Sequence, residues 1–359
     1  MNFQTPCFVH YKQDLANAFR QVKRGLGNVV VAYSVKTNPN PDILRLLKKQ
    51  GSSFMLCSVN EVLVAKKLLG DVKNSVFLQP SMTEKELSRV WSAGVRLFVV
   101  DCPSQLRLFD EFGRKKKVKV RVLLRLNTKV ETRTVYRKAQ TLGMDQSVLL
   151  WSARHPAGGV EVIGLHNHLV TNNEDSKAWG ENLKKVRRCA EKLAEQGVRV
   201  QIIDIGGGFP LPGRETKKVF EIVQKNLHSL RKVFKGVVLI AEIGRFVAGC
   251  GRFLCKVQDV KELHGKRIVF VNASLYNSLM DVLIAEECLT PVAICSSNRR
   301  KIRQIIRGNT PDSLDVFVKD ALLPELRAGD FVEFEGVGAY NFKSDFINLK
   351  PPREYVVSK

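Results

Sequence analysis

"VVVAYSVKTNPNPDILRLLKKQG", residues 29–51, holds one complete structural unit. Its first part is a run of β-branched and apolar residues that predicts a buried strand over 29–35. Prolines at 39 and 41 break the chain after it. Beyond them Ile43, Leu44 and Leu47 recur at helical spacing, and Gly51 offers a helix stop. A strand, a turn and a helix closed by glycine form a βα unit, the building block of parallel sheets. Lys36 stands at the end of that strand, where a lysine must be paired, reach the surface or do chemistry.

The unit recurs along the chain. Strands are predicted over 53–57, 75–79, 96–100, 120–126, 161–166, 200–205 and 237–242. Helical stretches such as "VNEVLVAKKLLG", "TEKELSRVWSAG" and "AWGENLKKVRRCAEKLAEQG" lie between them. Eight strands alternating with helices is the count of an α/β (β/α)8 TIM barrel, expected over 27–249. An open, doubly wound sheet is the structural alternative that the count leaves standing. After about residue 250 helical periodicity largely stops. "RFLCKVQDVKEL", "KRIVFVNAS", "LDVFVKD", "GDFVEFEGVGAY" and "REYVVSK" read as short strands, so 250–359 is expected to be a β-rich C-terminal domain.

Composition narrows the classes. The 359 residues suffice for one large or two ordinary domains, and 44% apolar with 26% charged residues is globular. Apolar runs are far shorter than a membrane span needs, and the start lacks a basic then apolar leader, so a cytoplasmic protein is the default. Eight cysteines are scattered as Cys7, Cys57, Cys102, Cys189, Cys250, Cys255, Cys288 and Cys295. None forms a C-x-x-C pair or joins a His cluster, so neither a disulfide framework nor a metal site is expected. The net charge is +23, gathered partly in "GRKKKVKVR" (113–121) and "SSNRRKIRQIIRG" (296–308). Neither run carries the interleaved aromatics of a base-stacking platform, so a solvated basic surface is expected, not a nucleic-acid partner.

The unusual residues gather at C-terminal strand ends, the face where barrel active sites are built. Lys36 ends the first strand. "GLHNHLVTNN" sets His166 and His168 at the sixth, "DIGGGFP" sets Gly206, Gly207 and Gly208 after the seventh, and "AEIGRF" sets Glu242 and Arg245 after the eighth. Glycine N–H groups with an arginine suit a phosphate. A lysine can form a Schiff base with an aldehyde. A carboxylate against a pyridine nitrogen makes that ring an electron sink. Together these needs describe pyridoxal 5′-phosphate.

The motifs "PCFVHYKQDL…VVVAYSVKTNPNP", "HNH", "DIGGGFP", "EIGRF" and "GAYNF" resemble the barrel-fold (fold type III) pyridoxal-phosphate decarboxylases, which include ornithine, diaminopimelate and carboxynorspermidine decarboxylases. The resemblance covers nearly the whole chain and implies the alanine-racemase-like pairing of a TIM barrel with a β-domain that residues 1–26 join. It implies Lys36 as the Schiff-base lysine and His168 as the imidazole stacked on the cofactor. Thr171, Gly207, Gly208 and Arg245 would hold the phosphate, Glu242 the pyridine nitrogen, and Tyr340 would complete the site. Residues 305–334 resemble the segment that reaches a neighbouring subunit, so Asp312 would meet a substrate amine in trans within a homodimer that shares its sites. The implied reaction is decarboxylation of a basic or diamino acid such as ornithine or lysine, or of a carboxylated amino-acid conjugate.

The chain departs from the family pattern at four places. Pro311 stands where a cysteine is usual, Met55 where an aspartate is, Leu169 where a glycine follows the histidine, and Ile243 where a proline precedes "GR". A silent homologue that acts by binding proteins is therefore one alternative, and a racemase on the same barrel is another. Racemases usually set an arginine against the ring nitrogen, so Glu242 speaks against the latter. The stretch 168–175 is similar to decarboxylases of siderophore-type pathways, and 271–286 lies where the family sets substrate length.

Overall fold

The computed structural model describes residues 3–132, 141–156, 158–285, 289–295, 299–341 and 343–358. Cys288, the end of the 271–286 stretch, the start of the 296–308 basic run and Phe342 of "GAYNF" lie outside the described residues. The chain divides into two compact units, one of residues 1–15 with 247–359 and one of residues 16–246.

The first strand, β1 (Cys7–Tyr11), belongs to the former unit. The latter is the barrel, built from β2 (Val30–Ser34), β3 (Ser53–Leu56), β4 (Val76–Phe77), β5 (Leu97–Val100), β6 (Val120–Leu126), β7 (Val160–Asn167), β8 (Ile202–Asp204) and β9 (Val238–Ile243). These strands pair in parallel, each with the next, and β9 closes on β2. The doubly wound alternative is thereby excluded, since an open sheet leaves two edges.

Helices cover the outside. In the helix Arg214–Val233, Val219, Phe220, Val223, Leu227 and Leu230 are buried, a spacing that lays one stripe against the barrel. Phe220 meets Phe209 and Phe246 at ring-centroid distances of 5.8 and 5.4 Å. Burying each such ring favours folding by about 1.5–3 kcal/mol.

The barrel interior is layered. Ala32, Met55, Val76, Val99, Leu123, Ile163, Ile202 and Ile240 form a packed apolar floor, one residue from each strand. Side chains alternate along a strand, so the residue two positions further on faces inward again, nearer the C-terminal mouth. Those positions are Ser34, Cys57, Leu78, Asp101, Arg125, Asp204 and Glu242, with β7 following a different count. A bulge in β7 makes that difference. Val122 pairs with Val162, but Leu123 pairs with Gly164, leaving Ile163 as the extra residue. The parity shift turns His166 and His168 inward. Gly164 permits it, because a Cβ there would sit 1.8 Å from the Ile202 carbonyl oxygen.

The other unit is a β-rich sheet. It contains β10 (Arg252–Leu263), β11 (Lys266–Val271), β12 (Thr290–Ile294), β13 (Lys301–Arg307), β14 (Val316–Pro324), β15 (Phe331–Glu335) and β16 (Arg353–Val357). β1 joins it, antiparallel to β10 and parallel to β16. Phe8, Phe253, Phe317 and Phe334 stack through its core, with successive centroids 4.6, 6.3 and 5.2 Å apart.

Among the described residues the seven cysteines are free thiols. No described helix is long and apolar enough to cross a membrane.

Candidate active site

Lys36 sits in a single 3-10 turn, Val35–Thr37, immediately after β2. The turn is fastened on both sides. The Tyr33 hydroxyl donates to the Asn38 carbonyl at 3.0 Å, and Asn40 caps the next helix by accepting from the Asp42 N–H at 2.9 Å. Thr37 is buried beneath Gly244, where a Cβ would meet its Oγ1 at 2.2 Å. The backbone is therefore fixed while the Lys36 side chain is exposed. The strand is buried, but the turn lifts the amine into the mouth.

The mouth holds a cavity of about 250 Å³ whose lining includes Lys36, Cys57, Arg125, His166, His168 and Glu242. His166 Nε2 lies 2.9 Å from Glu242 Oε1, and the two side chains are 0% and 8% exposed. A carboxylate can only accept, so the proton of this bond is on Nε2. His168 Nδ1 accepts from the Gly207 N–H at 3.2 Å, which fixes the plane of that imidazole. Asp204 pairs with His166 across β7 and β8, and its Oδ1 accepts from the Gly206 N–H at 2.9 Å. Arg125 Nη1 lies 3.4 Å from Asp101 Oδ1 on the other side.

Burial and charge sort the protonation states. Burial works to raise the Glu242 pKa, but the His166 hydrogen bond and the nearby His166, His168 and Lys36 outweigh it and bring it down to about 2. Burial pushes His166 down despite Glu242, and His168 down to about 3. Burial and the Glu242 charge together push Asp204 well above the carboxylate range. These shifts favour an ionised Glu242, a protonated Asp204 and neutral imidazoles at 166 and 168. Arg125 is held down by burial and supported by Asp101 and Glu242.

A profile of the family described as "Pyridoxal-dependent decarboxylase, pyridoxal binding domain" matches residues 12–249. The chain belongs to this family. This pyridoxal-dependent decarboxylase is 25% identical over 361 residues to the diaminopimelate decarboxylase of Aquifex aeolicus, a match spanning 97% of this chain and 85% of the relative. It is also 25% identical over 343 residues to the lysine/ornithine decarboxylase of Selenomonas ruminantium, spanning 94% and 85%. The crystal structure of Helicobacter pylori diaminopimelate decarboxylase complexed with L-lysine shares the fold. Its TM-score is 0.91 at 24% identity, over 99% of this chain and 92% of that one.

The residues present fit pyridoxal phosphate. An amine, a neutral imidazole held flat by a backbone N–H and an ionised carboxylate line one cavity. Buried polar atoms around them, Thr37 Oγ1, His166 Nδ1 and Asp204 Oδ2, have no hydrogen-bond partner.

The glycines serve packing as well. A Cβ at Gly206 would meet the Asn167 carbonyl oxygen at 2.0 Å, and one at Gly208 the Val170 carbonyl oxygen at 2.0 Å. The Gly206 and Gly207 N–H groups already serve Asp204 and His168, so the loop is not the open row of donors that "GGG" suggests. Thr171 follows Val170 in the loop against Gly208, and Arg245 is buried just after β9. Asp312 and Tyr340 belong to the β-rich unit. The Asp312 carboxylate accepts from the Leu314 N–H at 2.8 Å and from the Tyr276 hydroxyl. Tyr340 is half-buried with φ +56°.

Motif reading assigned no role to His166 and passed over Asp204, Arg125 and Gly244. Arg125 and Asp204 were available by counting two residues beyond the apolar floor of their strands. His166 required the bulge, whose sign in the sequence is the lone glycine of "VIGLHNH".

Proposed function

We propose that this decarboxylase acts on a diamino or other basic amino acid, or a carboxylated conjugate of one, as a homodimer that shares its active sites. The observation that carries the reading is the meeting of Lys36, His168 and Glu242 on one cavity. The names of the relatives, diaminopimelate and lysine/ornithine decarboxylases, support the substrate class.

Pyridoxal phosphate, when bound, supplies a carbonyl carbon for an amine and a ring that accepts the electron pair left by departing carbon dioxide. This chain's residues do the rest. Glu242, kept ionised by His166, would hold a proton on the ring nitrogen, and neutral His168 would present a flat, uncharged face. Gly208, Thr171 and Arg245 would take the phosphate, with Tyr340. Lys36, on a fixed turn with its side chain exposed, would capture the cofactor and release it to the incoming amine. Asp312 would pair with the distal amine of a substrate held in the partner subunit.

The test is carbon dioxide release by cofactor-loaded protein from L-lysine, L-ornithine, meso-diaminopimelate and carboxynorspermidine. Release from at least one is expected. No release from any would sink the substrate assignment.

A further inference from the structure

We propose that the Cys57 thiol delivers the proton to the product carbon in this active site, a role that rests on the decarboxylase reading above. Met55 belongs to the apolar floor, so Cys57, two residues further along the chain, faces the same interior one layer nearer the mouth. It lines the cavity shared by Lys36, His168 and Glu242. Its backbone is locked by a reciprocal pair of bonds. The Cys57 N–H donates to Glu61 Oε2 at 2.6 Å, while the Glu61 N–H donates to Ser58 Oγ at 3.1 Å and starts the helix Val59–Leu69. His166, fully buried in the same lining, has an Nδ1 with no partner, an independent sign that this space receives a polar ligand.

Besides Cys57, the polar lining holds Lys36, Arg125, His166, His168 and Glu242, and His168, laid flat on the cofactor ring in the proposed function, would offer that ring its face and not its N–H. Glu242 is ionised and holds no proton to give. The His166 proton is directed at Glu242. Arg125 does not release a proton in proteins. Lys36 has the separate task of exchanging with the substrate amine. Cys57 keeps its proton at neutral pH, because burial pushes the thiol up to about 12 and Glu61 and Glu242 add to this against Lys36 and Arg125. A neutral acid beside developing negative charge is what protonation of carbon requires.

The step balances without an oxidant. The bond to the carboxylate carbon breaks, carbon dioxide leaves, and the electron pair stays on the substrate carbon. The S–H proton moves to that carbon and forms the new C–H bond. The thiolate left behind takes a proton from water, which the partly buried Cys57 at the cavity wall can reach. If the proton is delivered elsewhere, hydrolysis gives a carbonyl product and pyridoxamine phosphate in place of the amine.

Cys57→Ala and the near-isosteric Cys57→Ser are compared as holoenzymes on whichever of L-lysine, L-ornithine, meso-diaminopimelate or carboxynorspermidine the wild type decarboxylates. Pyridoxamine phosphate formed per amine product is read by mass spectrometry. It is expected to rise about 100-fold in Cys57→Ala, the lower range of general-acid effects, and less in Cys57→Ser. Pyridoxal phosphate alone is also expected to protect Cys57 of the apoenzyme from a methanethiosulfonate reagent at alkaline pH, as mapped by peptide mass. Unchanged partition in both variants, or labelling of Cys57 that the cofactor does not slow, overturns the role of Cys57 while the decarboxylase reading stands. Absence of any turnover in the wild type, with protection intact, overturns the substrate reading and the proton-delivery role together.

Discussion

His166 and Glu242 form a buried donor–acceptor pair, Nε2 to Oε1 at 2.9 Å, on strands that are not neighbours in the barrel. β8 lies between them and contributes Asp204, and ligand atoms of all three residues fall within 4.8 Å of one another. The charge of Glu242 thus depends on a neutral imidazole reaching across the mouth. Glu242→Gln keeps the shape and the bond but removes the charge. Carbon dioxide release is expected to fall about 100-fold or more, as when one preorganised electrostatic group is lost. Steady-state kinetics on the best substrate would check it, and an unchanged kcat would refute the role.

Asp204 gives the barrel a pH dependence of opposite sign to that of Glu242. The depressed Glu242 stabilises the fold above its ordinary 4.5, and that contribution is lost as pH falls towards about 2. The raised Asp204 contributes stability that is complete below its ordinary 3.8 and drains away as pH climbs. Asp204→Asn stays neutral and keeps an acceptor for the Gly206 N–H. Its Tm relative to wild type is therefore expected to rise as pH climbs from about 4 through the neutral range. A difference that stays flat over that range would mean Asp204 is ionised in the fold.

Asp101 accepts from both Arg125 and the Gly143 N–H, the latter at 3.0 Å. Asp101→Ala leaves a guanidinium, already depressed by burial, without its closest counter-charge. A loss of about 3 kcal/mol in unfolding free energy is expected. The double variant with Arg125→Met should recover part of it, which denaturant titration would show.

Gly164→Ala places a methyl group 1.8 Å from the Ile202 carbonyl oxygen, and backbone cannot swing aside as a side-chain tip can. The expected cost is about 3 kcal/mol, at the top of the overpacking range. Thermal unfolding is the measurement, and a Tm within error of wild type would contradict the bulge geometry.

The shared-site homodimer predicts complementation. Lys36→Ala and Asp312→Ala should each be inactive alone, and the Lys36→Ala protein should lose the visible absorption of lysine-bound cofactor. Mixing the two after subunit exchange should restore about a quarter of wild-type activity, because random exchange makes half the dimers mixed and each mixed dimer has one intact site. No recovery would place Asp312 outside the site of its neighbour.

Much of this was legible beforehand. The eight barrel strands stood out as β-branched runs punctuated by glycine-closed helices, and their C-terminal ends drew Lys36, His168 and Glu242 to one face. The residues that were hidden depend on facing, not on motif. Asp204 was read as the first letter of a glycine motif, although its place two residues past Ile202 puts it in the mouth. Lys36 was legible as the end of a buried strand, but no periodicity reports the single 3-10 turn that carries it. The local pattern also could not show that the glycines of 206–208 have their N–H groups already engaged, since that follows from where His168 and Asp204 come to lie.

The extra residue of β7 has an evolutionary consequence. Past that bulge the register is unforgiving: deleting Leu165 would set His166 opposite Leu124 and Asn167 opposite Arg125, turning Asn167 towards the mouth and His166 and His168 towards the helices. The strand is largely buried on both sides, so a hydrophobicity profile would scarcely register the change. A single in-frame codon loss could thus yield a descendant recognisable as the same barrel but stripped of both imidazoles, and residue spacing, more than residue identity, would separate the working enzyme from its relic.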